Sequence, residues 1–134
     1  MNDAVLGQVV GLMAASPIHR DWTVADVERL IVPPLMLGQY VAIAEKDRML
    51  AFATYAFLSQ EAMDGFVSGQ RKLRASDWRS GPHKWLIDAI APSGHARPAM
   101  GMVRAALRRE GYRGDVIRFR RNKGGVRRYA QVVL

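Results

Sequence analysis

The 134-residue chain contains no cysteine. That excludes disulfides, thiolate zinc sites and a cysteine nucleophile together. Histidine is scarce. His19, His83 and His95 are the whole set, with no i,i+4 pair and no HExxH pattern, so no metal site is expected. No stretch approaches the roughly 18 uninterrupted apolar residues of a membrane span, so stable membrane insertion is not expected. The opening MNDAVLGQVVGLMAAS has Asp3 where a secretory leader would have a basic region. A cytoplasmic protein is the default expectation. GxGxxG, a P-loop and GxSxG are missing too.

Negative charge is scarce in one region. From Arg97 onward eleven lysines and arginines face only Glu110 and Asp115, whereas residues 1–96 hold nine basic and ten acidic side chains. The whole formal excess of +8 therefore lies in the last third. Such a surface attracts nucleic acid, an anionic membrane or an acidic protein, unless it is simply a solvated face.

What is present suffices for one folded domain over residues 1–134. Apolar residues make up 49% of the chain, enough for a core at this length. No linker, repeat or low-complexity segment divides it. Val5, Leu6, Val9, Leu12 and Met13 recur at helical spacing and predict a helix over 3–15, ended by Ser16-Pro17. Thr23, with Asp26 three residues on, predicts an N-cap for a short helix over Val24–Ile31, which Pro33-Pro34 stops. Gln39–Ala44 and Met49–Leu58 read as a β-hairpin around Glu45-Lys46-Asp47-Arg48. Ser59 caps a helix to about Val67. A polar connection leads to a strand over Lys84–Ala91. Pro98 suits the first turn of a helix that Gly111 ends. Asp115–Arg121 and Val126–Leu134 are strands joined by a turn at Asn122–Gly125. The order is α-α-β-β-α-β-α-β-β. It predicts an α/β protein of the α+β kind, with a central mixed, mostly antiparallel sheet flanked by helices.

Three features could carry chemistry. His19 sits in SPIHRDW, residues 16–22, and imidazole can exchange a proton near neutral pH. Asp88 interrupts the apolar strand WLIDAI, where strict alternation would set Leu86, Asp88 and Ile90 on one face. A carboxylate there needs a partner or water. The strand-to-helix loop around Ser93 and Gly94 directs backbone N–H groups at whatever docks there, although alone it is also an ordinary turn. Ser16, Ser80 and Ser93 are available hydroxyls without a nucleophile motif. Trp22, Trp78 and Trp85 read as core and pocket wall, because they do not interleave with the basic segment as a base-stacking surface would.

Together these motifs resemble the RTX-toxin-activating lysine acyltransferases. The resemblance rests on SPIHRDW, on ASDWRSGPHKWLIDAIAPSG at residues 75–94, and on Gly38-Gln39-Tyr40-Val41; it covers roughly residues 5–120. It implies a GNAT-like fold. It also implies transfer of a fatty acyl group from acyl–acyl carrier protein to the ε-amine of lysines in an RTX protoxin. The donor is then a phosphopantetheine thioester rather than coenzyme A, with no bound cofactor and no nucleic-acid partner. The resemblance puts the catalytic pair on His19 and Asp88 and, less directly, an arginine role on Arg118. A homodimer is a state it allows. It leads one to expect more chain beyond Leu134, and the glycine-containing RFRRNKGGVRRY segment departs from it.

On this reading His19 deprotonates the lysine amine or first carries the acyl group, and Asp88 orients or charges it. Ser16 and Trp22 would frame the ring. Trp22 and Trp85 would wall a dry pocket that favours the neutral amine. Ser93 and Gly94 would receive the thioester carbonyl or the phosphopantetheine arm. The basic last third would dock the acidic carrier. The alternative is a GNAT-like N-acyltransferase using acyl-coenzyme A on another amine, against which the loop after Asp88 lacks RxxGxG/A. A nucleic-acid-binding module built on the C-terminal arginines would leave both motifs unexplained.

Overall fold

The structure is a computed structural model that describes residues 2–123 and 125–134. Its elements are helices α1 (Asp3–Ala15), α2 (Val24–Leu30) and α3 (Val32–Leu37), strands β1 (Tyr40–Glu45) and β2 (Arg48–Leu58), helix α4 (Gln60–Ser68), strand β3 (His83–Ile90), helix α5 (Ala96–Arg109), and strands β4 (Val116–Lys123) and β5 (Val126–Val133). The sheet order is β1-β2-β3-β4-β5, antiparallel except for the parallel β3–β4 pair that α5 connects. This is the mixed, mostly antiparallel GNAT-like arrangement expected.

Local signals account for most boundaries. Asn2 caps α1 by accepting from the N–H groups of Ala4 and Val5. At α2 the Thr23 hydroxyl accepts the Asp26 N–H while the Asp26 carboxylate accepts the Thr23 N–H, a full capping box. The Ser59 hydroxyl caps α4 through the Ala62 N–H. Two expectations are corrected. Pro33 and Pro34 do not merely stop a helix. They sit in the first turn of α3, where a missing N–H costs nothing, and α3 ends at Gly38 in a left-handed conformation at φ 71°. β4 also runs past Arg121 to Lys123, paired with Val126; of the expected Asn122–Gly125 turn, Gly124 lies outside the described residues.

The sheet is covered on both faces. On one, α5 lays Ala99, Val103 and Leu107 on Val41, Ala53, Tyr55 and Ile117. On the other, α1 packs Val9, Leu12 and Met13 on Met49, Phe52 and Ile90. The same face continues through Ala56, Trp85 and Ile87 to Leu73, Trp78 and Ala62.

DWRSG, residues 77–81, is a fastener. The Asp77 carboxylate binds the Arg71 guanidinium at 2.7 and 3.2 Å and accepts the Arg74 N–H at 2.8 Å. Burial alone would raise its pKa, but these bonds outweigh burial and hold the carboxyl below its ordinary value. Trp78 is wholly buried and donates Nε1–H to the Arg29 carbonyl. Arg79 donates to the side-chain oxygen of Gln39, whose amide in turn donates to the carbonyls of Tyr55 and Trp78. Gly81 passes so close to β2 that a Cβ would lie 2.5 Å from the Ser59 Cα. Gln39 and DWRSG thus lock each other against the end of β2.

Two irregularities set up the site. β2 and β3 pair as Thr54↔Asp88 and then Tyr55↔Leu86, so Ile87 is an extra residue, a β-bulge. In addition, among the described residues β3 and β4 pair at Lys84↔Ile117 and Trp85↔Arg118 and not beyond Trp85, along the part of β3 that carries Asp88.

Candidate active site

SPIHRDW folds back on the end of α1. The Ser16 N–H donates to the Met13 carbonyl, and the Ser16 carbonyl accepts from both His19 and Arg20. The Trp22 N–H then donates to the His19 carbonyl. These turns hold the imidazole beneath the indole of Trp22, ring centroids 4.8 Å apart. His19 is only 2% exposed.

Both ring nitrogens are engaged. Nδ1 lies 2.6 Å from the Ser16 hydroxyl, and Nε2 lies 2.8 Å from Asp88 Oδ2. The other oxygen of Asp88 accepts the Ala89 N–H at 2.9 Å. An ionised carboxylate can only accept, so Nε2 carries the proton. A neutral ring then accepts the Ser16 O–H at Nδ1. This is a hydroxyl–imidazole–carboxylate chain of the acyl-transfer kind, with the two nitrogens exchanged relative to the usual serine triad.

The bulge makes this chain possible. Leu86 and Ala89 face α5, whereas Trp85, Ile87 and Ile90 face the α1 side. Strict alternation from Leu86 would aim Asp88 at α5. The extra residue turns it toward His19, which corrects the expectation that Leu86 and Asp88 share a face.

A largely apolar cavity of about 280 Å³ between α1, α2 and this segment is lined by Val10, Met13, Ala14, Trp22 and Val27, with His19, Arg20 and Thr23 in its wall. Val10 and Val24 at its rim are 47% and 85% exposed, an apolar surface beside a buried imidazole.

The other expected residues are placed differently. Trp85 is buried with Phe66 and Tyr129, 5.5 and 5.8 Å away between rings, in the cluster under α4 rather than in the cavity His19 lines. Its side chain therefore serves the core. Ser93 lines a separate cavity of about 490 Å³ with Gly11, Leu12, Ala15, Arg48 and Leu50. Gly94 sits at φ 88° with its N–H given to the Ala91 carbonyl, so that donor is already committed. Arg118 points under α4, where its guanidinium reaches the Met63 sulfur at 3.9 Å.

Two residues escaped the sequence reading. Thr54 pairs with Asp88 across the strands and is fully buried, with a hydroxyl that has no partner among the described residues. Arg120 is the other. Its guanidinium lies 4.5 Å over the Phe66 ring. Burial and then the neighbouring Arg127 lower its pKa, opposed by Tyr129 and Asp88. Thr54 could have been noticed as the polar interruption in AFATYAFL; nothing distinguishes Arg120 from its neighbours in RFRR. Among the described residues no group of three or more acidic or histidine side chains is placed to hold a metal ion. No helix among them is long and apolar enough to cross a membrane.

Comparison with known proteins finds relatives of this chain. A sequence model of the RTX toxin acyltransferase family, HlyC, matches residues 1–132. The protein-lysine myristoyltransferase HlyC of Escherichia coli is 39% identical over 90 residues, covering 67% of this chain and 53% of its own. The lysine-acyltransferase RtxC of Vibrio cholerae is 37% identical over 101 residues, 75% of this chain and 66% of its own. The leukotoxin-activating lysine-acyltransferase LtxC of Aggregatibacter actinomycetemcomitans is 37% identical over 94 residues, 70% and 56% respectively. The chain thus spans between about half and two thirds of the length of the curated relatives it matches.

Proposed function

Because the chain belongs to the RTX toxin acyltransferase family, we propose that it is a protein-lysine acyltransferase working through His19 and Asp88. The donor is an acyl–acyl carrier protein. The acceptor is the ε-amine of a lysine in an RTX protoxin or a related protein. The reading places the protein in the cytoplasm, where both substrates are made.

The single observation that carries the proposal is the hydrogen-bonded chain Ser16–His19–Asp88. The reaction replaces a thioester by an amide. The amine attacks the carbonyl carbon and loses a proton, and the departing thiolate gains one. A neutral His19 has its one lone pair on Nδ1, directed at Ser16. The amine proton therefore passes to the Ser16 oxygen as the Ser16 proton passes to Nδ1. The imidazolium so formed lies 2.8 Å from the Asp88 carboxylate, which offsets its charge. It can return the proton to the thiolate by the same path. Direct acylation of Nδ1 would instead first require Ser16 to swing away.

The surroundings suit the substrates. The apolar cavity that His19 lines has room for an acyl chain, and each methylene withdrawn from water is worth about 0.8 kcal/mol. The same dry wall favours a neutral amine over an ammonium. Carrier proteins are acidic, and the basic last third offers them complementary charge.

The test is a mass assay. The full chain is mixed with acyl-loaded carrier protein and a lysine-containing protoxin fragment, and every species is weighed. Acyl groups are expected to leave the carrier and appear on lysine. His19→Ala and Asp88→Asn are each expected to lose at least about 10²-fold in rate. Parent-like transfer by both variants would sink the assignment. Transfer from acyl-coenzyme A but not from the carrier would replace the donor.

A further inference from the structure

The reactive chain does not use the positive charge gathered between α2, α4 and β4. There a pocket of about 170 Å³ is framed by Arg29, Arg71, Lys72 and Arg120, over a floor of Leu30, Phe66 and Leu73. Two of the four cations have carboxylate partners: Arg29 reaches Asp26 at 3.2 Å, and Arg71 grips Asp77. Lys72 and Arg120 have none among the described salt bridges. Two of the four cations at one small concavity therefore lack a close ion pair among the described residues. Arg29 adds a second feature: its Nε is buried without a partner among the described residues, as are those of Arg104 and Arg108. Arg120 adds a third. Its guanidinium is partly desolvated and lies beside Arg127. Held on the Phe66 ring, it is fixed in place without an anion.

We infer that this pocket is an anion site that takes a phosphate ester, bound by Arg120 and Lys72 with Arg29 and Arg71 completing the frame. A phosphate presents two or more outward oxygens to donors arriving from different sides, and guanidinium groups match them. Here donors come from a helix, a loop and a strand, an arrangement a planar carboxylate would fill less well. The site lies on the same face of the sheet as Asp88, over the cluster that includes Leu30, Phe66 and Leu73. It is not the loop before α5, where Gly94 has already spent its N–H. If the reading above holds, the phosphate is that of the phosphopantetheine arm, so the source of the ligand rests on that reading while the existence of the site does not.

Calorimetric titration of the full chain separates the two. The probes are 4′-phosphopantetheine, pantetheine and inorganic phosphate. The phosphorylated compound is expected to bind at least tenfold more tightly than pantetheine, with inorganic phosphate competing. Arg120→Gln and Lys72→Gln are each expected to remove most of that advantage; Lys72 is exposed, so its loss leaves the fold intact. Equal binding of pantetheine, or a full advantage surviving both substitutions, would overturn the site. Competition by holo carrier protein but not by carrier lacking its arm assigns the phosphate to the arm. Competition by coenzyme A alone keeps the site and overturns the carrier as donor. A chain that binds the arm yet transfers no acyl group keeps the site and removes the activity.

Discussion

At the scale of single residues the proposal turns on His19, whose burial leaves each ring nitrogen with a defined partner. Ser16 is then more than the residue before a proline. Its carbonyl holds the turn and its hydroxyl occupies the one free lone pair of the ring. Ser16→Ala should lower the transfer rate by roughly 10–100-fold, the worth of a hydrogen bond to a group that becomes charged. Steady-state rates with saturating donor and acceptor check this, and an unchanged rate would remove Ser16 from the proton path. Both ends of the chain could be singled out in the sequence, one as a lone histidine beside a helix stop, the other as a carboxylate in an apolar strand. Their contact could not, because 69 residues separate them.

At the scale of elements the motif DWRSG proves to be architecture. Gly81 is needed for close approach to β2, so Gly81→Ala should cost about 1–3 kcal/mol by overpacking backbone. Thermal unfolding reads that directly, and a parent-like midpoint would refute it. The Asp77–Arg71 clasp has a pH signature. Asp77 is held below the ordinary carboxyl value of about 3.9. Its contribution is therefore fully present above that value and is lost as pH falls toward the lower native one. Asp77→Asn should be less stable than the parent by about 1.5–3 kcal/mol at pH 7. That gap should stay constant down to about pH 5 and close below about 3.9. Denaturant melts across pH 2–7 would test it, and a gap independent of pH would assign the loss to shape alone.

At the scale of the whole molecule charge is segregated, and the basic last third lies on β4, β5 and the helix before them. Association with an acidic carrier should therefore slow as ionic strength rises, with exposed charges screened beyond roughly 10 Å at 0.1 M salt. Stopped-flow association at several salt concentrations measures the slope; an on-rate indifferent to salt would rule out electrostatic steering. Ser16 and His19 are buried and Asp88 is mostly so, so single-turnover transfer within a preformed complex should be much less sensitive to salt.

The sequence alone determined every element but the short helix α3, the N-caps at Thr23 and Ser59, the charged last third, and the two residues proposed for catalysis. These follow from local chemistry: side-chain spacing, capping hydroxyls, proline geometry. It also suggested errors of a consistent kind. Pro33 and Pro34 suggest a stop but begin α3, and Trp85, which could serve core or pocket wall, packs in the core. Each depends on what a residue meets across the fold. The face of Asp88 is the clearest case. Alternation assigns it by counting from its neighbours, but one extra residue at Ile87 shifts the register and turns the carboxylate to His19. A bulge is stabilised by pairing with another strand and by packing on both faces, so no window of local sequence reveals it. Tertiary structure alone decided that a histidine and an aspartate became a pair.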